Sequence, residues 1–130
     1  MTKTIMIVDD SRDDIELMEI ALDAAGCELR RKALLNGEDA LLSLSSGDDR
    51  PALILLDLKM PGMSGVETLR KIRADAKSMD VPVVVVTSSA LPSDENEALA
   101  AGANGYLHKA VDLKQFCKDI KSLLERWIPN

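Results

Sequence analysis

Aromatic residues make up only 2% of this 130-residue sequence, one Phe, one Tyr and one Trp. Its core must therefore be filled by Val, Leu, Ile, Met and Ala. There is a single histidine, His108, and one histidine cannot build a metal site. The two cysteines, Cys27 and Cys117, lie far apart and follow no metal-ligand spacing, so ordinary buried thiols are expected rather than a disulfide. No apolar run is long enough to span a membrane, and no charged leader precedes an apolar segment, so a cytoplasmic protein without membrane contact is expected. Basic residues are in deficit: the formal net charge is -6 and the pI about 4.7. No basic stripe is available to neutralise nucleic-acid phosphates. A small phosphorylated ligand held together with a divalent cation is not excluded. A glycine-rich phosphate loop of the Walker or dinucleotide type is also missing.

What the sequence does have is 46% hydrophobic residues in short blocks, enough for one domain over residues 1–130. Ala52 to Leu56 is an apolar run that ends in Asp57. A strand of this composition is covered on both faces, as in the middle of a parallel sheet. Thr4 to Val8 ends similarly in Asp9-Asp10, and Val83 to Val86 ends in Thr87. Glu28 to Leu34 reads as a strand nearer an edge, because it carries Arg30, Arg31 and Lys32. Gly105 to Lys109 reads as a last short strand. Helical spacing appears between these blocks. Ile15, Met18, Leu22 and Ala25 follow a Ser11 cap, and Ala40, Leu41 and Leu44 follow Asn36. Val66, Leu69 and Ile72 follow a Ser64–Glu67 capping box. A fourth helix begins at Pro92 and Ser93. A fifth is capped by Asp112 with Gln115, and Leu113, Phe116, Ile120, Leu123, Leu124 and Trp127 form its apolar face. Five strands alternating with five helices predict an α/β fold, a doubly wound parallel sheet with right-handed crossovers.

In such a sheet, ligands bind beyond the carboxyl ends of the strands. The residues at those ends are Asp9, Asp10, Asp57, Thr87 and Lys109. Carboxylates this close repel one another unless a cation joins them. With only oxygen ligands on offer, the expected cation is Mg²⁺ rather than zinc. Thr87 and Lys109 supply the hydroxyl donor and fixed positive charge that a phosphoryl oxygen requires. The expected chemistry is phosphoryl transfer to Asp57 as nucleophile, with Mg²⁺ and Lys109 offsetting the incoming charge. Taken singly, each residue has a plainer reading: a capping turn at Asp9-Asp10-Ser11, a turn aspartate, a strand threonine, a solvated lysine. Their predicted convergence on one rim favours the chemical reading.

Asp9-Asp10, Leu56-Asp57 with Met60-Pro61-Gly62, Thr87 and Lys109 together resemble the signature of a response-regulator receiver domain of the chemotaxis-regulator kind, over essentially the whole chain. The resemblance implies a flavodoxin-like sheet in the order 2-1-3-4-5. It implies that Asp57 accepts a phosphoryl group from a phosphohistidine, on a sensor histidine kinase or a phosphotransfer protein. Mg²⁺ would be ligated by Asp10, Asp57 and the backbone carbonyl of Lys59, with Asp9 acting largely through water. Thr87 and Tyr106 would be the switch pair, and the face of the fourth helix, fifth strand and fifth helix would change partners. Such a protein is a phosphoacceptor switch rather than an enzyme. No output domain follows in the sequence, so signalling by protein–protein contact or phosphorelay is expected, from a monomer or weak homodimer.

Ala110 follows Lys109, where the family usually has Pro. A cis bond before a non-proline residue costs about 3–4 kcal/mol, so a trans bond, or a strained cis bond held by its loop, is expected. Lys59 is expected to pair with Asp10 or lean over the phosphoryl site, and with Ser89 to tune how fast water removes the phosphoryl group. Two other functions compete: a pseudo-receiver binding module that works without phosphorylation, and a flavin or nucleotide enzyme on the same architecture. The stretches around Asp57 and Thr87 also resemble, more faintly, single-domain regulators that serve phytochrome-type kinases.

Overall fold

Three apolar runs form strands buried along their whole length: β1 (Thr4–Val8), β3 (Leu53–Leu56) and β4 (Val83–Thr87). The charged run Arg30–Leu34 (β2) and the short Gly105–His108 (β5) are only partly covered. The computed structural model, which describes residues 3–46, 50–109 and 112–128, places them in one parallel sheet in the order β2-β1-β3-β4-β5. The strands least able to lose water thus take the two edges. β2 begins at Arg30 rather than at Glu28, and β3 at Leu53, although the Ala52 N–H still donates to the Thr4 carbonyl (2.8 Å).

Five helices connect the strands: α1 (Arg12–Ala24), α2 (Gly37–Ser46), α3 (Gly65–Ala74), α4 (Pro92–Ala100) and α5 (Leu113–Trp127). Ser11 caps α1 by accepting from the Asp14 N–H (3.2 Å), and Asn36 accepts from Asp39 at the start of α2 (2.8 Å). The expected capping boxes form only by half. Ser64 accepts from the Glu67 N–H, but the Glu67 carboxylate lies 3.4 Å from the Ser64 hydroxyl instead of closing on the backbone. Asp112 accepts from Lys114, while Gln115 turns along the helix to Asp119 (2.9 Å). Among the described residues, no helix is long and apolar enough to cross a membrane.

The period-two alternation of side chains along a strand divides the core. Ile5, Ile7, Leu53, Leu55, Val84 and Val86 face one side and pack with Met18, Leu22, Phe116 and Ile120 of α1 and α5. Met6, Val8, Ile54, Leu56 and Val83 face the other side, against Ala40, Leu44, Leu69 and Ile72 of α2 and α3. Leu113 does not join the apolar face expected of α5; it is 45% exposed, at the first residue of the helix. Cys27 and Cys117 are free thiols, but they pack at the margin of the core and are only partly buried, not buried as expected.

One guanidinium fastens the lower end of the second layer, the end away from the strands' carboxyl termini. Arg73 donates to the carbonyls of Gly102 (3.0 Å), Met79 (3.2 Å) and Val81 (2.6 Å) and to Asn104 Oδ1 (2.8 Å). Asn104 Oδ1 also accepts from the Val83 N–H (2.8 Å), so α3, the entry to β4 and the α4–β5 connection meet at one point.

Phe116 is the sole phenylalanine and is fully buried between α5 and the sheet. Phe116→Ala is expected to cost about 3–5 kcal/mol of stability, measured by urea denaturation.

Candidate functional site

Parallel strands that end together bring their carboxyl ends to one rim. Three ladder bonds fix the functional residues there. The Asp9 N–H donates to the Leu34 carbonyl (3.0 Å), the Asp57 N–H to Val8 (3.0 Å) and the Lys109 N–H to Thr87 (2.7 Å). All five strand-end residues expected from the sequence meet at this rim. One carboxylate oxygen from each of Asp9, Asp10 and Asp57 falls within 4.8 Å of the others. Asp9, Asp57 and Thr87 are buried, whereas Asp10 is exposed. The buried ammonium of Lys109 lies 2.8 Å from Asp9 Oδ2, 3.0 Å from Asp14 Oδ2 and 3.8 Å from Asp57 Oδ2.

Asp14 is the site residue that the sequence reading missed. Its place in the first turn of α1 had an adequate explanation in the favourable interaction of an acid with a helix N-terminus. Asp10 precedes the Ser11 cap and lies outside the helix, so helical spacing gave no signal for Asp14.

Burial pushes the Asp57 carboxyl above the ordinary aspartate range. Lys109 opposes that shift, Asp9 adds to it, and the Thr87 hydroxyl and Lys59 backbone N–H, both directed at the carboxylate, oppose it again. Burial alone would lower the pKa of Lys109, but its bonds to Asp9 and Asp14 and the charge of Asp57 raise it instead. Three carboxylates, Asp9, Asp14 and Asp57, thus face one ammonium, and Asp10 adds a fourth acid to the cluster. The residual negative charge, the oxygen-only donor set and the open side at Asp10 fit Mg²⁺, which keeps several of its waters and takes one or two carboxylates.

The loop after Asp57 is shaped by two glycines. Gly62 takes a φ of +74°, which lets the chain reverse after Met60-Pro61. Gly65 starts α3 hard against the acceptor loop: a Cβ there would lie 2.2 Å from the Asp57 carbonyl oxygen. The Gly65 N–H donates to the Leu58 carbonyl (2.9 Å).

Lys59 does not pair with Asp10 or lean over the acid cluster. Its ammonium lies 3.3 Å from Asp94 Oδ2 in the first turn of α4, and Asp94 also accepts from the Ser89 hydroxyl. Asp94 holds a low pKa through that Ser89 bond, aided by Lys59. The Ser89 N–H donates to Thr87 Oγ1 (3.3 Å), and the Ser89 carbonyl accepts from the Tyr106 hydroxyl (3.0 Å). Tyr106 is half-buried, packed against the cluster of Leu58, Val66, Val85 and Ala98. Lys59, Thr87, Ser89, Asp94 and Tyr106 therefore form one polar chain. Exposed His108 donates from Nε2 to the Ser88 carbonyl (3.0 Å), away from the acids. Ala110 lies outside the described residues, and the Lys109-Ala110 peptide with it.

An acid cluster suited to a divalent cation, beside a buried lysine and a threonine at the rim of a 2-1-3-4-5 sheet, defines a phosphoacceptor module. The family model described as "Response regulator receiver domain" matches residues 5–121, and the chain belongs to that family, the phosphoacceptor switches of two-component signal transduction. The chain is 34% identical over 124 residues to the polar-differentiation response regulator DivK of Brucella anthropi, covering 95% of this chain and 98% of that one. It is 32% identical to the phosphate regulon transcriptional regulatory protein PhoB of Pseudomonas aeruginosa, of which it spans 54%, about half the length. Its fold is similar to that of the phosphorylated cyanobacterial phytochrome response regulator RcpA, with a TM-score of 0.89 at 30% identity over 98% of this chain and 95% of that one. It is similar too to the receiver domain of a Pseudomonas aeruginosa sensor histidine kinase with a magnesium ion coordinated in its active-site cleft, with a TM-score of 0.81 at 28% identity over the whole of both chains.

Asp57 binds its proton more tightly in the folded chain than an ordinary aspartate does, because burial raises its pKa above 3.8. Ionisation therefore costs stability as pH rises through that window, and the cost is fully present above it. Asp57→Asn is expected to raise the melting temperature near pH 7 in the absence of divalent cation and to leave it unchanged near pH 3. Mg²⁺ is expected to stabilise the wild type more than the variant; thermal melts under the four conditions measure both effects.

Proposed function

We propose that Asp57 is the phosphoacceptor of a two-component switch, with residues 1–130 working as one receiver domain. The observation that carries this reading is the convergence of Asp9, Asp10 and Asp57 oxygens within 4.8 Å, with the Lys109 ammonium 3.8 Å from Asp57. An Asp57 oxygen attacks the phosphorus of a phosphohistidine on a sensor kinase or phosphotransfer protein. The O–P bond forms as the P–N bond breaks, and the electron pair passes to the imidazole nitrogen. Little covalent work falls to the protein in such a loose displacement, so catalysis is positioning and charge stabilisation. Lys109 and the Thr87 hydroxyl supply fixed partners for the phosphoryl oxygens. Asp10, Asp57 and the Lys59 carbonyl, with Asp9 acting largely through water, would hold Mg²⁺, whose charge would offset those oxygens.

The acyl phosphate carries a charge of about -1.5 to -2. Thr87 is tied through Ser89 to Tyr106 and Asp94, so drawing its hydroxyl toward the phosphoryl group pulls on the start of α4. The face made by α4, β5 and α5 is then the surface that changes partners, and the output is protein–protein contact or onward phosphotransfer rather than catalysis on a separate substrate. Lys59 and Ser89 tune the lifetime of the phosphorylated state through Asp94. The working form is a cytoplasmic monomer or weak homodimer, and the likeness to RcpA supports a phytochrome-type kinase as the donor.

Wild-type protein incubated with a small acyl-phosphate donor is expected to acquire one phosphoryl group only when Mg²⁺ is present, read by intact mass. Asp57→Asn is expected to lose the label; labelling of that variant at the wild-type rate rejects the assignment. Phosphotransfer profiling against a kinase panel tests the donor class, and equal slow transfer from every kinase counts against a phytochrome-type partner.

A further inference from the structure

Lys109 makes its two shortest ionic contacts away from Asp57. Asp9 Oδ2 and Asp14 Oδ2, at 2.8 and 3.0 Å, each accept a hydrogen bond from the ammonium. An ammonium has three N–H groups, so one remains. At 3.8 Å, Asp57 Oδ2 is too far for a hydrogen bond. A phosphoryl group carried by Asp57 projects its oxygens beyond Oδ2, beside that line, where one of them can come within hydrogen-bond reach of the remaining N–H without displacing the lysine.

One tether would leave a flexible lysine stem free to swing about that contact, whereas two tethers fix the direction of the third N–H. Both tethers are built from the same turn. Asp9 Oδ1 accepts from the Ser11 N–H (2.9 Å), and the Ser11 hydroxyl accepts from the Asp14 N–H (3.2 Å). The cap of α1 is thus also a cradle for Lys109, a residue 95 positions beyond Asp14. A simple helix-terminus role for Asp14 would apply equally to its neighbour Asp13, which is exposed and makes no ion pair among the described residues.

We propose that Asp14 is a positioning residue for phosphoryl transfer: together with Asp9 it fixes the Lys109 ammonium so that its remaining N–H meets the phosphoryl group on Asp57. The inference rests on the reading of Asp57 as the phosphoacceptor. It separates two effects of Asp14, because the carboxylate orients Lys109 and at the same time adds negative charge to the site. Asparagine keeps an oxygen that accepts the same bond but removes the charge, and alanine removes both.

The test measures the initial rate of labelling by a small acyl-phosphate donor at saturating Mg²⁺, with folding checked by thermal melts. Asp14→Ala is expected to slow labelling by about ten- to a hundredfold, the range for a misplaced reacting group. Asp14→Asn is expected to restore most of the rate, and Asp13→Ala to label as wild type. Should Asp14→Ala not fold, Asp14→Ser, too short to reach Lys109, takes its place. The proposal is overturned if the alanine variant labels at the wild-type rate or faster, if alanine and asparagine slow it equally, or if Asp13→Ala slows it as much. Asp57→Asn, run in parallel, must lose the label. If it keeps it, the phosphoacceptor reading falls, whereas a normal rate in Asp14→Ala with the Asp57 dependence intact overturns the positioning role alone.

Discussion

The rim of the sheet depends on one ammonium. Asp9 and Asp57 are acids buried at the ends of strands, where Lys109 is the cation that faces them both, and a buried carboxylate without a partner is strongly destabilising. Lys109 comes to them from the far side of the sheet, across β4, so an edge strand must pair correctly before the central acids are neutralised. The arrangement leaves the site anionic. That residual charge, with the exposed Asp10, gives the site its demand for a hard cation and ties phosphoryl chemistry to Mg²⁺.

Much of this was legible in the sequence because the signals are local and repeated. Fully apolar runs marked the three central strands, and the charges on Arg30, Arg31 and Lys32 marked an edge. The rule that strand ends share a rim then collected Asp9, Asp10, Asp57, Thr87 and Lys109 without any coordinates. What could not be read was the choice among partners. Lys59 lies two residues from Asp57, and proximity in sequence pointed it toward the acids. In space its long stem carries the charge outward to Asp94, whose carboxylate already accepts from Ser89. Asp14 was hidden for the opposite reason, since a local explanation for it was already sufficient. Leu113 matched a helical apolar stripe but sits at the first residue of α5, where it remains 45% exposed.

The two helical layers divide the work. Side chains that alternate along β1, β3 and β4 send one set toward α1 and α5 and the other toward α2, α3 and α4. Lys109 is anchored to the first layer, through Asp14 on α1. Thr87, Ser89 and Tyr106 connect to the second, through Asp94 on α4. The acid cluster therefore lies between a layer that anchors Lys109 and a layer tied to Thr87 through Ser89 and Asp94.

The Arg73 contacts decide what form that report can take. Four hydrogen bonds bind the foot of α3 to the chain on either side of β4 and before β5, in a place where burial lowers the guanidinium's pKa and makes the loss of any of those bonds costly. At the opposite end, the polar link between α4 and the loop after Asp57 is the ion pair of exposed Lys59 with Asp94, beside the apolar contact of Leu58 and Ala98. A body pinned at its base and held less firmly at its top would pivot rather than slide. Displacement in the second layer would then grow with height above Arg73, so that the largest movement falls at the turn between β4 and α4, and the helices' lower ends keep their register through every cycle of the switch.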